Sequence, residues 1–192
     1  MEENEIKIGK QIWTTKNLDV STYRNGDKIP QVEDPKEWTK TYTGAWCYYE
    51  NKAENGIKYG KLYNWYAVTD PRGLAPEGYH IPTDEEWTKL TDNLTSFWYA
   101  PGEKMKSTSG WENNGGGNNK SGFTGLPGGE RDQGLSGSFL AIGARGAWWS
   151  SSDSEGTGYH AWYRAMWAHF AGTVSREFIS KHSGMSVRCI KD

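Results

Sequence analysis

Only two cysteines occur in the 192 residues, Cys47 and Cys189. One disulfide is the most they could form, which excludes a disulfide-dense scaffold. The polar opening MEENEIKIGK carries no secretion signal, so both are expected as buried free thiols. No apolar run approaches bilayer-spanning length, and no membrane insertion by this domain is expected. Charge of one sign is missing too. Against 22 Lys and Arg stand 24 Asp and Glu, a net charge of -2, which leaves no electrostatic footprint for nucleic acid. Phenylalanine is scarce at 5 and histidine at 4, and no internal repeat is present.

What is present in excess is tryptophan and tyrosine, 11 of each, with 24 glycines. Indole and phenol tips need partners when buried, and glycine favours turns over uninterrupted helix. The length suits one domain spanning 1–192. These features predict a loop-rich fold whose interior is stapled by aromatic rings rather than by long aliphatic helices.

Along the chain, Ile6, Ile8 and Ile12 around Gly9-Lys10 predict a short hairpin. Asn25-Gly26-Asp27 predicts a turn, residues 29–43 a loop, Ala45–Tyr49 a strand and residues 50–56 a further turn. Leu62, Trp65, Tyr66 and Thr69 have helical spacing and predict a helix over Leu62–Val68. Thr83 with Glu86 three residues later forms a capping box. It opens a second helix over Asp84–Thr95, with Trp87, Leu90 and Leu94 on its apolar stripe. Residues 100–137 are rich in Gly, Asn and Ser. Trp111, Phe123 and Leu126 are spaced through them as anchors, which predicts an ordered excursion rather than a linker. Strands are expected at 146–151, 161–167, 172–177 and 185–190.

The last fifty residues, 143–192, interleave two kinds of side chain. Trp148, Trp149, Trp162, Arg164, Val174, Arg176, Gly184 and the run Ser186-Val187-Arg188-Cys189 read as framework. Tyr159, His160, Tyr163, Trp167, His169, Phe170, Phe178, Ile179 and His182 are large and amphipathic, as contact residues are. Alternation along 161–167 places Trp162, Arg164 and Met166 on one side and Tyr163, Ala165 and Trp167 on the other. We assign the first set inward, with Arg164 held by a buried acceptor, and the second set to solvent. The predicted ligand face is Trp149, Tyr159, His160, Tyr163, Ala165, Trp167, His169, Phe170, Ser175, Glu177, Phe178, Ile179 and His182. The plain alternative is that these aromatics are core.

Several motifs together resemble a family. They are Ile12-Trp13 with Asn17-Leu18, Trp46-Cys47-Tyr48-Tyr49, Tyr59–Trp65, Pro76–Thr83, Ser121-Gly122-Phe123, Leu126–Arg131, Trp148–Ser151 and Ser186–Cys189. In this order the chain resembles the bacterial FISUMP domains, built on a C-type-lectin-like fold. The resemblance implies an α+β domain with two short helices, small twisted antiparallel sheets and long irregular Gly/Asn-rich loops. Ala75 departs from it, since that position often looks like a cysteine in relatives. The interleaved C-terminal segment also resembles the variable proteins of diversity-generating retroelements, which keep a framework and vary contact residues. That likeness implies a non-enzymatic receptor-binding domain with a protein or glycan ligand on another cell or surface. It also implies a location at the cell surface, outside the cell or on a virion tail.

Catalytic and metal patterns are weak. His160 and His169 with Asp153 or Glu155 could supply zinc ligands, but no spacing demands it. His80 reads as a buried, hydrogen-bonded residue. Ser150–Asp153 offers nucleophile types without elbow glycines, and Gly115–Gly117 lacks the lysine of a phosphate loop. The carboxylates of Asp84, Glu85 and Glu86 are explained by the helix cap. Pro-Thr-Asp-Glu-Glu-Trp resembles the helix start of formylglycine-generating enzymes, but their local cysteine pair is missing. The calcium triplets of carbohydrate-binding C-type lectins are absent. A structural calcium at Asn118, Asn119, Glu130 and Asp132 stays open; otherwise no cofactor is expected. The leading reading is a binding domain for a protein target. The runner-up is a sugar-binding module stacking a pyranose on Trp167 or Tyr163, and the outsider is an enzyme of the formylglycine-generating type.

Overall fold

The computed structural model describes residues 4–96, 100–133, 136–154, 158–170 and 172–192. The chain begins with a hairpin, β1 (Glu5–Ile8) and β2 (Gln11–Thr14), turning at Gly9, whose φ of +60° suits glycine. A one-turn helix α1 (Pro35–Trp38), strand β3 (Trp46–Cys47), helix α2 (Ala53–Tyr59), strand β4 (Leu62–Tyr63) and helix α3 (Trp65–Val68) follow. Next come β5 (Tyr79–His80), the long helix α4 (Asp84–Leu94) and the short α5 (Pro101–Met105). The second half supplies β6 (Gly128–Arg131), β7 (Phe139–Ile142), β8 (Arg145–Asp153), β9 (His160–Trp167), β10 (Ser175–Ser180) and β11 (Ile190–Lys191).

These strands make three small sheets, ordered β1-β2-β11-β5, β10-β9-β8-β6-β7 and β3-β4. Pairing is antiparallel except for the contact of β6 with β8 at Gly129 and Gly146. β11 lies between β2 and β5, so the two ends of the chain meet, as expected of paired terminal strands. The domain is thus a mixed α+β fold with several small sheets. No helix among the described residues is long and apolar enough to cross a membrane.

The expected count of two helices is corrected to five among the described residues. Pro35 and Pro101 are helix starters rather than breakers, each at the first turn, where the missing N–H costs nothing. Asp34 caps α1 by accepting from the Glu37 N–H at 2.8 Å. Asn55-Gly56, read as a turn, lies inside α2, where a Cβ on Gly56 would meet the Tyr48 ring at 2.1 Å. The helix expected over Leu62–Val68 forms only from Trp65. Asn64 caps it through the Ala67 N–H at 3.1 Å, and Leu62 and Tyr63 pair instead with Cys47 and Trp46. α4 matches its expected start, with both halves of the Thr83–Glu86 capping box formed.

Three apolar clusters fill the interior. One holds Trp46, Tyr63, Trp65, Trp149, Tyr163, Val187 and Cys189; Ala75 lies in it as well. A second, under α4, holds Trp13, Trp87, Leu90, Phe123, Trp148 and Met166. The third holds Val32, Trp38, Cys47, Tyr49 and Leu62. Trp148 and Trp149 are adjacent in β8 and enter different clusters, as the strand period requires. The central strands β8 and β9 therefore have apolar core on both faces.

The excursion is ordered, with Trp111 and Phe123 buried. Its glycines are packed against other elements: a Cβ on Gly115 would lie 2.4 Å from the Ala168 carbonyl, and one on Gly117 would lie 2.2 Å from that of Glu103. The Lys106 ammonium, itself buried, donates to the carbonyls of Gly115 (3.1 Å), Trp167 (2.5 Å) and Phe170 (3.3 Å). It ties the excursion to the far end of β9. The last expected strand shrinks to β11. The run before it crosses between sheets through isolated bridges at Gly184, Met185 and Ser186.

Candidate functional site

The strand β10 is the edge of the five-stranded sheet, and its register with β9 decides what the surface shows. Arg176 lies opposite Arg164, Phe178 opposite Trp162 and Ser180 opposite His160. Opposite residues share a face, so Arg164, Trp162, Arg176 and Phe178 form one block on the α4 side. The start of α4 covers only part of it. Arg164 is buried there and donates to the Asp84 carboxylate at 2.5 Å, the Asp84 carbonyl at 3.0 Å and the Thr88 hydroxyl at 3.0 Å. The sequence called for a buried acceptor; the carboxylate that serves, Asp84, is half-buried.

Beyond the helix start the block is open. Trp162 is half-buried, and the Arg176 guanidinium stacks on it, 3.6 Å from the ring centroid. The Phe178 ring meets Trp162 edge-on at 5.5 Å, and His160 meets Phe178 at 5.7 Å. With Asp84, Glu85, Ser152, Asp153 and Ser154 these residues line a cleft of about 570 Å³. Asp84 is shared by both arginines, Arg176 approaching its second oxygen at 2.9 Å. Burial would raise the Asp84 pKa, but hydrogen bonds from Arg176 and Arg164 outweigh it and hold the group below its ordinary value.

Of the predicted face, Tyr159, His169, Phe170, Glu177 and Phe178 are exposed, and His160, Trp167, Ser175 and Ile179 are half-buried. Trp149, Tyr163, Ala165 and His182 are buried, and their expected exposure is corrected. The parity was right, since Tyr163 does lie opposite Trp162 across β9. The error was to suppose that one side of a central strand must meet solvent. Tyr163 instead anchors a polar chain: Arg145 donates to its hydroxyl at 2.7 Å, and that hydroxyl donates to Glu177 at 2.5 Å. Arg145 is paired in turn with the buried Glu130. His182 sits between the Tyr42 and Tyr66 rings, at 4.5 and 5.2 Å.

The exposed residues also do not make one patch. Tyr159, His160 and Phe178 lie at one end of β9, and Trp167, His169 and Phe170 lie at the other. Seven residue steps from His160 to Trp167, at about 3.3 Å each, separate them by about 23 Å. The same distance keeps His160 and His169 from a common metal ion, and Glu155 lies outside the described residues. No cluster of three or more His, Cys, Asp or Glu is gathered for a metal among the described residues. Of the residues weighed for calcium, Asn118 accepts from the Lys120 N–H at 3.0 Å, Asn119 accepts from the Thr124 N–H at 2.8 Å, and one oxygen of Glu130 pairs with Arg145. Both cysteines are free and buried in different clusters. Burial pushes each thiol up to about 12, so neither is a ready nucleophile.

Sequence reasoning missed Trp162 and Arg176 as surface residues, together with Asp84, Glu85 and Ser152 through Ser154 as cleft walls. The available signal was the capping box, which fixes where α4 starts. A helix that starts level with Arg164 leaves the β9 residues before it uncovered.

Compared with known proteins, residues 6–191 match the family model described as the Fibrobacter succinogenes major domain. No curated protein and no solved structure matches the chain.

Proposed function

The chain belongs to the Fibrobacter succinogenes major domain family, and from that premise we propose that it is a non-enzymatic binding domain for a protein target. On this reading its fold is C-type-lectin-like and FISUMP-type, its face lies on β9 and β10, and it works at a cell surface or on a virion tail. Kinship with the variable proteins of diversity-generating retroelements belongs to the same proposal. The observation that carries it is the open cleft beside the start of α4, where His160, Trp162 and Phe178 stand edge to face beside Arg176. Exposed aromatic rings beside an arginine are the residue types that anchor protein interfaces. A soluble domain leaves such area in water only at a cost of about 25 cal/mol per Å².

The saccharide reading loses support from its own stacking residues. Tyr163 is buried, and Arg145 lies 4.7 Å from the Trp167 centroid. Arg176 occupies one face of Trp162. An enzyme of the formylglycine-generating type would need accessible thiols, and both are buried. Panning a displayed protein library against the domain, beside a glycan array, tests the proposal. Protein binders are expected, and replacing both His160 and Phe178 by alanine should abolish their binding without changing the far-ultraviolet circular dichroism. Binders indifferent to that double replacement would refute the assigned face.

A further inference from the structure

The cleft holds an arginine with one donor edge used and another open. A guanidinium presents paired N–H groups in a planar fork that matches a carboxylate. Asp84 takes one side of Arg176, its Oδ2 lying 2.9 Å from Nε and 2.9 Å from Nη2. On the other side, Nη1 has no hydrogen-bond partner among the described residues. The guanidinium plane is fixed against the Trp162 ring, so this free edge is held in place rather than swinging in solvent.

The local charge is positive. One carboxylate, Asp84, faces two guanidinium groups, those of Arg164 and Arg176. The remaining acids of the cleft are already matched, Glu85 by Lys89 at 2.9 Å and Asp153 by Lys181 at 2.8 Å. The rings of Phe178 and His160 line the same cleft. Phe178 is 58% exposed, enough to take an apolar stem.

We propose that the cleft binds the carboxylate of an Asp or Glu side chain of a protein partner, fork to fork with the open edge of Arg176, with neighbouring apolar atoms over Phe178. The inference rests on the binding-domain reading above and adds its chemistry. A protein carboxylate suits the site because a single two-donor edge is offered beside an apolar wall.

Three probes test it on the intact domain: acetyl-Phe-Glu-amide, its neutral counterpart acetyl-Phe-Gln-amide, and glucuronate. Nuclear magnetic resonance follows the Arg176 Nε–H and Trp162 indole N–H signals, assigned through Arg176→Gln and Trp162→Phe. The Glu peptide is expected to move both signals and to bind at least about tenfold more tightly than the Gln peptide, as a charge-assisted pair requires. That preference should vanish in Arg176→Gln while the circular dichroism spectrum is retained. Equal binding of the two peptides would overturn the carboxylate inference and leave the binding-domain reading intact. Glucuronate binding as tightly as the Glu peptide would overturn the protein assignment in favour of an acidic saccharide. No movement of either signal with any probe would sink the inference. The display selection then decides separately whether the face binds at all.

Discussion

Asp84 carries two arginines of very different burial, and replacing it should separate their energetic roles. Arg164 has a side chain only 3% exposed, whereas that of Arg176 is 48% exposed. Asp84→Ala strands the Arg164 guanidinium with the Asp84 main-chain carbonyl and the Thr88 hydroxyl as its remaining acceptors in this group. Removing one member of a buried pair costs about 3–5 kcal/mol. Loss of an acidic group from the first turn of α4 adds about 0.3–1 kcal/mol. For a chain of this length the melting temperature should fall by on the order of 10 °C. Arg176→Ala removes a solvent-screened partner and should cost no more than about 1 kcal/mol. Combining Asp84→Ala with Arg164→Ala should be less damaging than the sum of the two, because the uncompensated cation is removed as well. Guanidinium denaturation followed by tryptophan fluorescence and circular dichroism reads all four proteins. If Asp84→Ala costs under about 1 kcal/mol, or Arg176→Ala costs as much as Asp84→Ala, the buried pair does not hold β9 to α4 as described.

Two further outcomes follow from α4 and its start. Trp87 is fully buried, packs on Trp13 at 4.8 Å and donates to the Trp149 carbonyl at 3.2 Å; Trp87→Ala should cost about 3–5 kcal/mol. Thr83→Ala, which loses only the cap, should cost about 1 kcal/mol, and chemical denaturation that fails to separate the two would contradict the packing. His80 is hydrogen-bonded to Asp192 at 2.7 Å and to Glu86 at 2.9 Å. Burial opposes its charging, but these two carboxylates outweigh it and raise its pKa above 6.5. Its contribution to stability is therefore complete below about pH 6.5 and is lost as pH rises through the raised value. Stability measured from pH 5 to 9 should lose this step in His80→Gln, and an unchanged profile would show that the link does not form.

The sequence made α4 legible because three signals agree on it: a capping box, an acidic first turn and a Trp87-Leu90-Leu94 stripe. The hairpin at Gly9 and the strands β8 and β9 were legible for similar reasons. The short helices α1, α2 and α5 were not, since Pro35, Gly56 and Pro101 read locally as breakers and only their tertiary contacts show otherwise. The cleft beside α4 was half legible. Residue type picked out His160 and Phe178, which line the cleft, and period 2 sorted β9 into its true sides. Nothing in the strand records what covers each side. For Tyr163 the cover is the cluster of Trp149 and Val187; for Trp162 it is absent because α4 begins one turn too late. That information lies in the β8–β9 pairing and the packing of α4, both of long sequence separation.

The way the loops are held sets which positions of the face can change. Lys106, Arg131 and Arg188 are buried, and their hydrogen bonds go almost wholly to main-chain carbonyls. Arg131 reaches those of Val32, Glu33 and Gly137, and Arg188 those of Thr14, Phe123 and Thr124. A carbonyl is present whatever the side chain, so Trp167 and Phe170 can be exchanged without removing the acceptors of Lys106. Arg164 and Tyr163 are held otherwise, through the side chains of Asp84, Thr88, Arg145 and Glu177, and a change in any of them strands a partner. On the cleft side Phe178 meets the rings of His160 and Trp162. Lys106, Arg131 and Arg188 thus depend mainly on the backbone, whereas Arg164 and Tyr163 depend on particular side chains.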